Sequence, residues 1–498
     1  MRFYFLNKQI LPSKKIPQIL VITLGGIMLS ACAVGPDLHP TNAPKMSNYT
    51  AKEIKQTSSA PVAGGEAQQL VRGKDVSAQW WQAFGSPQID QLVDAAFKHN
   101  PSIDIAQAAL RQARESSNAQ RGSYFPTVQA SYSPSRQRNA VGTISPTLTS
   151  GDPVYTLHTA QLSISYVPDV FGMNRRIVES LVAQEESQHF QLEATYLTLA
   201  TNVVSNAIQL ALLKAQIDAN EDIIHTAEKT LDLLHGQAQL GFSSGLDVAA
   251  QESALAQTRL ALPPLRKQYE QTQDILAVLT GEFPGQSPAV DITLDSLTLP
   301  QELPLSLPSA LVEQRPDVRA SEALVHAASA QVGVAIANRL PQFSLSVNYG
   351  GVSTALSHMF SAGNRFWGLA GSMTQAVFDF GTLKHKQGAA EASLDQATAQ
   401  YRSVVLTAFQ NVADTLYALD ADSQALKAAA NAEAAAQKTV DLTRKQFELG
   451  AVNITPLLAA KQTYQQTKIV RLQNQAARYT DTAALFQALG GGWWNRKN

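Results

Sequence analysis

The chain has one cysteine, Cys32, among 498 residues. A lone thiol excludes an intrachain disulfide framework and a thiolate metal cluster. Charged residues make up only 16% and the formal net charge is −1, so no basic surface is on offer to a nucleic-acid backbone. The nine histidines are scattered, and His225 and His235 stand ten apart rather than at the i, i+4 spacing of a helical metal pair. No Gly-x-x-x-x-Gly-Lys run is present to cradle a phosphate. Single carboxylates on helices read as solvated faces. With no constellation of nucleophile, base and ligands, the chain reads as a non-enzyme: no catalytic residue is assigned, and neither a metal site nor a dissociable cofactor is expected.

What the chain does have, it has twice. Asn100 to Tyr132 and Arg315 to Val347 both open on X-Pro, run on as a helix, and reach a second proline; Pro101 and Pro126 are answered by Pro316 and Pro341, each 215 residues later. Farther on, Phe171-Gly172, Leu240-Gly241, Gln257-Thr258 and Gly281 are answered by Phe380-Gly381, Leu449-Gly450, Gln466-Thr467 and Gly490, each 209 residues later. Spacing kept over most of the chain marks a duplicated architecture. Length alone would allow about three ordinary domains; the duplication replaces that with two interleaved copies of one fold.

Each copy contains a pair of alternating segments. Val128, Ala130 and Tyr132 alternate with Gln129, Ser131 and Ser133, and Ala160, Leu162, Ile164 and Tyr166 with Gln161, Ser163 and Ser165. The second copy repeats this with Phe343, Leu345, Val347 and Tyr349, then with Trp367, Leu369, Gly371 and Met373. One apolar and one polar face on strands of about ten residues is the pattern of transmembrane barrel strands. Lipid cannot satisfy a free sheet edge, so such strands must close into a barrel, and known barrels start at about eight strands. Four strands per chain therefore require two chains or three, and strand count does not choose between them.

Between the strand pairs lie long helices. No proline occurs from Pro168 to Pro263, and Tyr196, Leu199, Val203, Ala207, Leu210 and Ile217 keep a spacing of three or four. One helix is expected from near Arg175 to near His235, about 90 Å at 1.5 Å per residue, with coiled-coil packing against its neighbours. Its partner returns from Gly241 toward Gly281, where Pro263-Pro264 is expected to kink or restart it. The second copy runs out from about Leu383 to Leu449 and back from Thr455 to Leu489.

The N-terminus carries an address. Arg2, Lys8, Lys14 and Lys15 precede an apolar run from Ile19 to Leu29, and no acidic residue appears before Asp37. That run is a secretory signal, too short to anchor by spanning. It ends in Leu29-Ser30-Ala31-Cys32, which resembles a bacterial lipobox. The resemblance implies cleavage before Cys32 and a covalent lipid on its thiol; Ala33, rather than aspartate, implies sorting to the outer membrane.

Together with that lipobox, Val34-Gly35-Pro36-Asp37, the run Trp80 to Gly85, the Phe171-Gly172 step and Leu276-Ala277-Val278-Leu279-Thr280-Gly281 resemble the outer-membrane efflux proteins of the TolC type, in the lipidated OprM and NodT branch. The resemblance implies a mainly α fold with a membrane β-barrel portion: a homotrimer whose helices form an α-barrel tunnel in the periplasm and whose strands form one twelve-stranded barrel. It implies an exit duct of a tripartite efflux pump for small molecules such as drugs, with a periplasmic adaptor protein and an inner-membrane transporter as partners. A duct for one-step protein secretion, or a coiled-coil envelope lipoprotein without a pore, are the alternatives. The exported substrate is not legible, because selection belongs to the transporter.

On this reading residues 1–31 are the signal, 32–85 a lipid-anchored arm that wraps the equator of the tunnel, 86–281 the first repeat, 282–308 a linker at the same level, 309–490 the second repeat and 491–498 a tail. Strands are expected within 127–168 and 342–378, and helical tips at 239–246 and 448–455. Trp80 and Trp81 read as packing anchors; Trp493 and Trp494 receive no role. Gly241 and Gly450 suit left-handed helix ends, and the resemblance implies that the tips dock the adaptor. Relatives often carry aspartates beyond the second tip glycine, where this chain has Pro456 and Ala459; the first tip keeps Asp247. The candidate gate is therefore Asp247 with Asn453, Thr455, Leu457 and Leu458.

Overall fold

A computed structural model describes residues 34–36, 46, 48–138, 154–286 and 290–496. Cys32 and the signal lie outside the described residues. In chain order, β1 is Gln69–Arg72, α1 Pro87–His99, α2 Pro101–Arg121, β2 Thr127–Arg138 and β3 Val154–Tyr166. The first copy ends with α3, Met173–Gln239, and α4, Gly245–Leu279. Then come β4 Glu302–Leu305, α5 Pro308–Gln314, α6 Pro316–Ala337, β5 Gln342–Ser353, β6 Arg365–Thr374, α7 Thr382–Glu448 and α8 Ile454–Ala488.

The duplication reappears to the residue. Both outgoing helices, α3 and α7, have 67 residues and both returning helices, α4 and α8, have 35. Sixty-seven residues span about 100 Å. Helix α4 does not restart at Pro263-Pro264; both prolines lie inside one continuous helix. The carbonyls of Arg259 and Leu260, which lose their N–H partners there, belong to exposed residues, so water can replace what the prolines remove.

Two compact units cut across the copies. Among the described residues, one combines those within 34–36, 114–184 and 325–396; the other combines those within 46–113, 185–324 and 397–496. The copies are thus interleaved, because β3 pairs with β5 across the repeat boundary.

The first unit holds an antiparallel sheet in the order β2-β3-β5-β6. Its register aligns whole rows: Val128, Ile164, Val347 and Leu369 lie side by side, as do Ala130, Leu162, Tyr349 and Trp367. The rows between are polar or small, such as Gln129, Ser163, Asn348 and Gly368. Val128, Leu162, Val347 and Leu369 are exposed, giving the sheet one outward apolar face. In this sheet β2 and β6 each have one paired side. The segment after Cys32 is fastened to this unit. The buried guanidinium of Arg176 donates to the carbonyl oxygens of Val34 (3.2 Å) and Gly35 (3.4 Å). Gly35 also adopts φ +112° where a Cβ would stand 2.5 Å from the Cα of Gly333.

In the second unit the core is built by α1 (Ile89, Val93, Ala96), the middle of α3 (Val203, Val204, Ala207, Ile208) and the end of α8 (Tyr479, Ala483, Leu485), all buried. Trp80 stacks on Phe486 at 5.3 Å between ring centroids, as its anchor reading expects. The arm meets the linker directly: β1 pairs in parallel with β4, and Tyr49 donates to the carbonyl oxygen of Ser306 (3.0 Å).

Candidate functional site at the helical tips

Both long helices end in the same way. At the first tip the Phe242 amide donates to the carbonyl of Gln237 (2.8 Å) and the Gly241 amide to that of Ala238 (3.1 Å). At the second, Ala451 donates to Gln446 and Gly450 to Phe447, both at 2.9 Å. This is the Schellman arrangement, which needs a left-handed residue; Gly241 has φ +78° and Gly450 φ +71°. No atom lies within 4 Å of a Cβ built at either glycine, so both point into open space.

The restart differs between the tips. Ser244 and Asp247 form a reciprocal capping box on α4, with the Ser244 hydroxyl and amide donating to Asp247 Oδ2 at 2.7 and 3.1 Å. These bonds hold the Asp247 carboxyl below its usual range, so its negative charge serves the helix start. Asn453 begins α8 with no side-chain cap bond, and Pro456 stands where Asp247 would be. Asn453, Thr455, Pro456 and Ala459 are exposed.

Leu457 is 3% exposed. It packs with Leu234 of α3 and Ile454, flanked by Val248, Phe447 and Leu458. The two tips are therefore joined by an apolar cluster, and the structure places Leu457 inside it, while Leu458 lies at its edge. Sequence reasoning passed over Leu234 and Ile454, although Ile454, Leu457 and Leu458 show the i, i+3, i+4 spacing of a buried stripe. Above the cluster, buried Gln251 donates to the carbonyl of Ala227 (2.7 Å) and Lys461 Nζ to Thr230 Oγ1 (3.0 Å). Burial, reinforced by Arg444, pushes the Lys461 ammonium below its usual range.

The tips also expose apolar side chains: Leu240 is 73% exposed, Phe242 81%, Leu246 79% and Leu449 84%. Such side chains at the ends of hydrogen-bonded hairpins contribute nothing to this chain's own core. Among the described residues there is no cluster of three or more His, Cys, Asp or Glu able to hold a metal.

Comparison with known proteins bears on this geometry. The family model described as "Outer membrane efflux protein" matches residues 92–282 and 307–491. The pyoverdine export outer membrane protein OpmQ of Pseudomonas putida is 29% identical over 437 residues, covering 87% of this chain and 92% of that protein. The toluene efflux pump outer membrane protein TtgC of Pseudomonas putida is 27% identical over 480 residues and 96% of each chain. Among solved structures, the outer-membrane channel OprN superposes with a TM-score of 0.82 at 25% identity, covering 93% of this chain and all of that one. The CmeC outer membrane channel of Campylobacter jejuni superposes with a TM-score of 0.83 at 19% identity over 94% of this chain and 96% of that one.

Proposed function

Because the chain belongs to the outer membrane efflux protein family, we propose that this outer-membrane channel works as a homotrimeric exit duct, fed by an inner-membrane transporter through a periplasmic adaptor protein. The observation that carries the reading is the four-stranded sheet with an outward apolar face and unpaired outer sides on β2 and β6. In lipid each free edge leaves several backbone groups unsatisfied, and joining β6 of one subunit to β2 of the next removes them. Three subunits give twelve strands and room for a pore, where two give a barrel filled by side chains. The duct is passive, with energy supplied by the transporter. Relatives named for export of pyoverdine and for efflux of toluene support small organic molecules as cargo.

The exposed apolar tips support adaptor docking. Gly241→Trp and Gly450→Trp direct a bulky side chain into space that is empty around the subunit, at the cost of left-handed strain of about 1–2 kcal/mol. Both variants are expected to reach the membrane as trimers in near-normal amounts and to lose most efflux-dependent resistance. The measurement is resistance beside trimer yield by native mass spectrometry. Normal resistance in both would remove the tips from the mechanism, and a stable conducting monomer would contradict the duct itself.

The lipid anchor is part of the same proposal. The support for it is that Val34 and Gly35, which follow Cys32 in sequence, are held by the Arg176 guanidinium. Mass spectrometry of the membrane form is expected to show a diacylated N-terminal peptide starting at Cys32, and an unmodified N-terminus elsewhere would refute it.

A further inference from the structure

The second unit contains a cleft of about 780 Å³. Its lining includes Trp81, Phe97, Tyr196 and Trp493, with Asp94 and Glu193 among them. The size and the mixture of aromatic walls with few polar groups are those of small-molecule sites. Glu193 is 4% exposed. Its Oε1 accepts from Arg496 at 2.5 Å, while Oε2 is buried without a donor. A half-satisfied buried carboxylate is costly, and burial pushes this carboxyl up against the downward pull of Arg496 and His189.

Charge decides what the cleft favours. Asp75, Asp94 and Glu193 line it against a single cation, Arg496, so its field is negative. The Arg496 guanidinium already lies 4.7 Å from the centre of the Tyr196 ring, which demonstrates that this wall accepts a cation on its aromatic face. The other aromatic walls have no such occupant among the described residues. Trp81 meets Phe97 edge-on at 5.6 Å and Phe97 meets Tyr196 at 5.1 Å, giving a continuous aromatic surface beside the carboxylates.

We propose that this cleft binds organic cations: an ammonium paired with the field of Glu193 and Asp94, its apolar body laid on Trp81 and Phe97. The site is distinct from the helical tips, and its occupancy is measurable without transport. Four of the five tryptophans are at or beside it; Trp80, Trp81 and Trp493 line it, Trp494 packs on Trp493 at 6.1 Å, and only Trp367 lies elsewhere, in β6.

The test is a fluorescence titration of the detergent-extracted protein carrying Trp367→Phe. The probe is 4-phenylbutylammonium, with 4-phenylbutyrate as the anion of similar body. A saturable change with the ammonium, at least tenfold weaker with the anion and at least tenfold weakened by Glu193→Gln, is expected. Asp94→Asn, on the exposed side of α1, is expected to weaken it several-fold and carries the same test if Glu193→Gln does not assemble. No saturable change in the parent protein, as when a neighbouring subunit fills the cleft, overturns the proposal. So does equal response to both probes, or an ammonium response unmoved by the carboxylate substitutions.

Discussion

Gly281→Ala and Gly490→Ala are expected to remove most of the assembled protein, whereas Gly241→Ala and Gly450→Ala are expected to leave its amount close to normal. All four glycines have positive φ, so all four alanines incur left-handed strain of about 1–2 kcal/mol. What separates the pairs is space. A Cβ at Gly281 would stand 2.3 Å from the carbonyl oxygen of His99, and one at Gly490 2.5 Å from that of Gln314. Both obstacles are backbone, which can yield only by moving the end of α1 or α5. Such forced displacement adds about 1–3 kcal/mol.

The same junctions lose more than room. Asn100 donates through Nδ2 to the carbonyl of Leu279 at 2.9 Å, and its counterpart Arg315 donates through Nη1 to that of Ala488 at 3.0 Å. Each side chain satisfies a terminal carbonyl of a returning helix, and displacement of the glycine turn breaks that bond. At the tips no atom lies within reach of the new methyl group. Heating the extracted protein and following the loss of its assembled form on a gel checks the contrast. Equal dissociation temperatures for the two pairs would show that strain alone, and not the close approach, governs these turns.

These glycines also mark how far the sequence could be read. Their 209-residue spacing announces the duplication, and alternation across four segments tells which side chains of each strand share a face, while the row of Val128, Ile164, Val347 and Leu369 comes from the strand pairing. Both kinds of information are local or periodic. The distinction between a glycine needed for its φ and one needed for its missing Cβ is not, because it depends on the carbonyl of a residue far away in sequence. Leu457 is a similar case. Its position just beyond a tip suggests a constriction, and its place in the apolar cluster depends on the i, i+3 relation to Ile454 and on the approach of Leu234 from another helix. Asp247 sits at the offset of an acidic gate, and its bonds from Ser244 could be anticipated only from the local helix start. Pro263-Pro264 breaks the local rule for a helix, and exposure of the freed carbonyls lets α4 continue through it.

Least legible was the means by which the arm is held, and there the second large effect is expected. Arg478 of α8 is fully buried. Its guanidinium donates to the carbonyl oxygen of Gly64 at 3.1 Å, to Thr57 Oγ1 at 2.9 Å and to the carbonyl oxygen of Glu66. Next to it, Gln68 Nε2 donates to Pro300 O and Thr482 Oγ1, both at 3.1 Å, and Tyr479 donates to Leu297 O at 2.9 Å. One helix face thus fastens the arm and the linker together. Hydrogen bonds from a charged group contribute about 1.5–3 kcal/mol each, and Arg478→Met removes three of them, leaving the buried carbonyl of Gly64 without this donor while Thr57 Oγ1 keeps only the Gln68 amide. A methionine of similar length fills the space but answers none of them, and lysine, lacking the planar fork, reaches only some. Arg478→Met is therefore expected to free residues 48–72, raising tryptic cleavage at Lys52, Lys55 and Arg72 by more than tenfold, with Arg478→Lys between the variant and the parent. Cleavage at the parental rate in Arg478→Met would mean that β1–β4 pairing holds the arm unaided, and that this buried charge stabilises α8 alone.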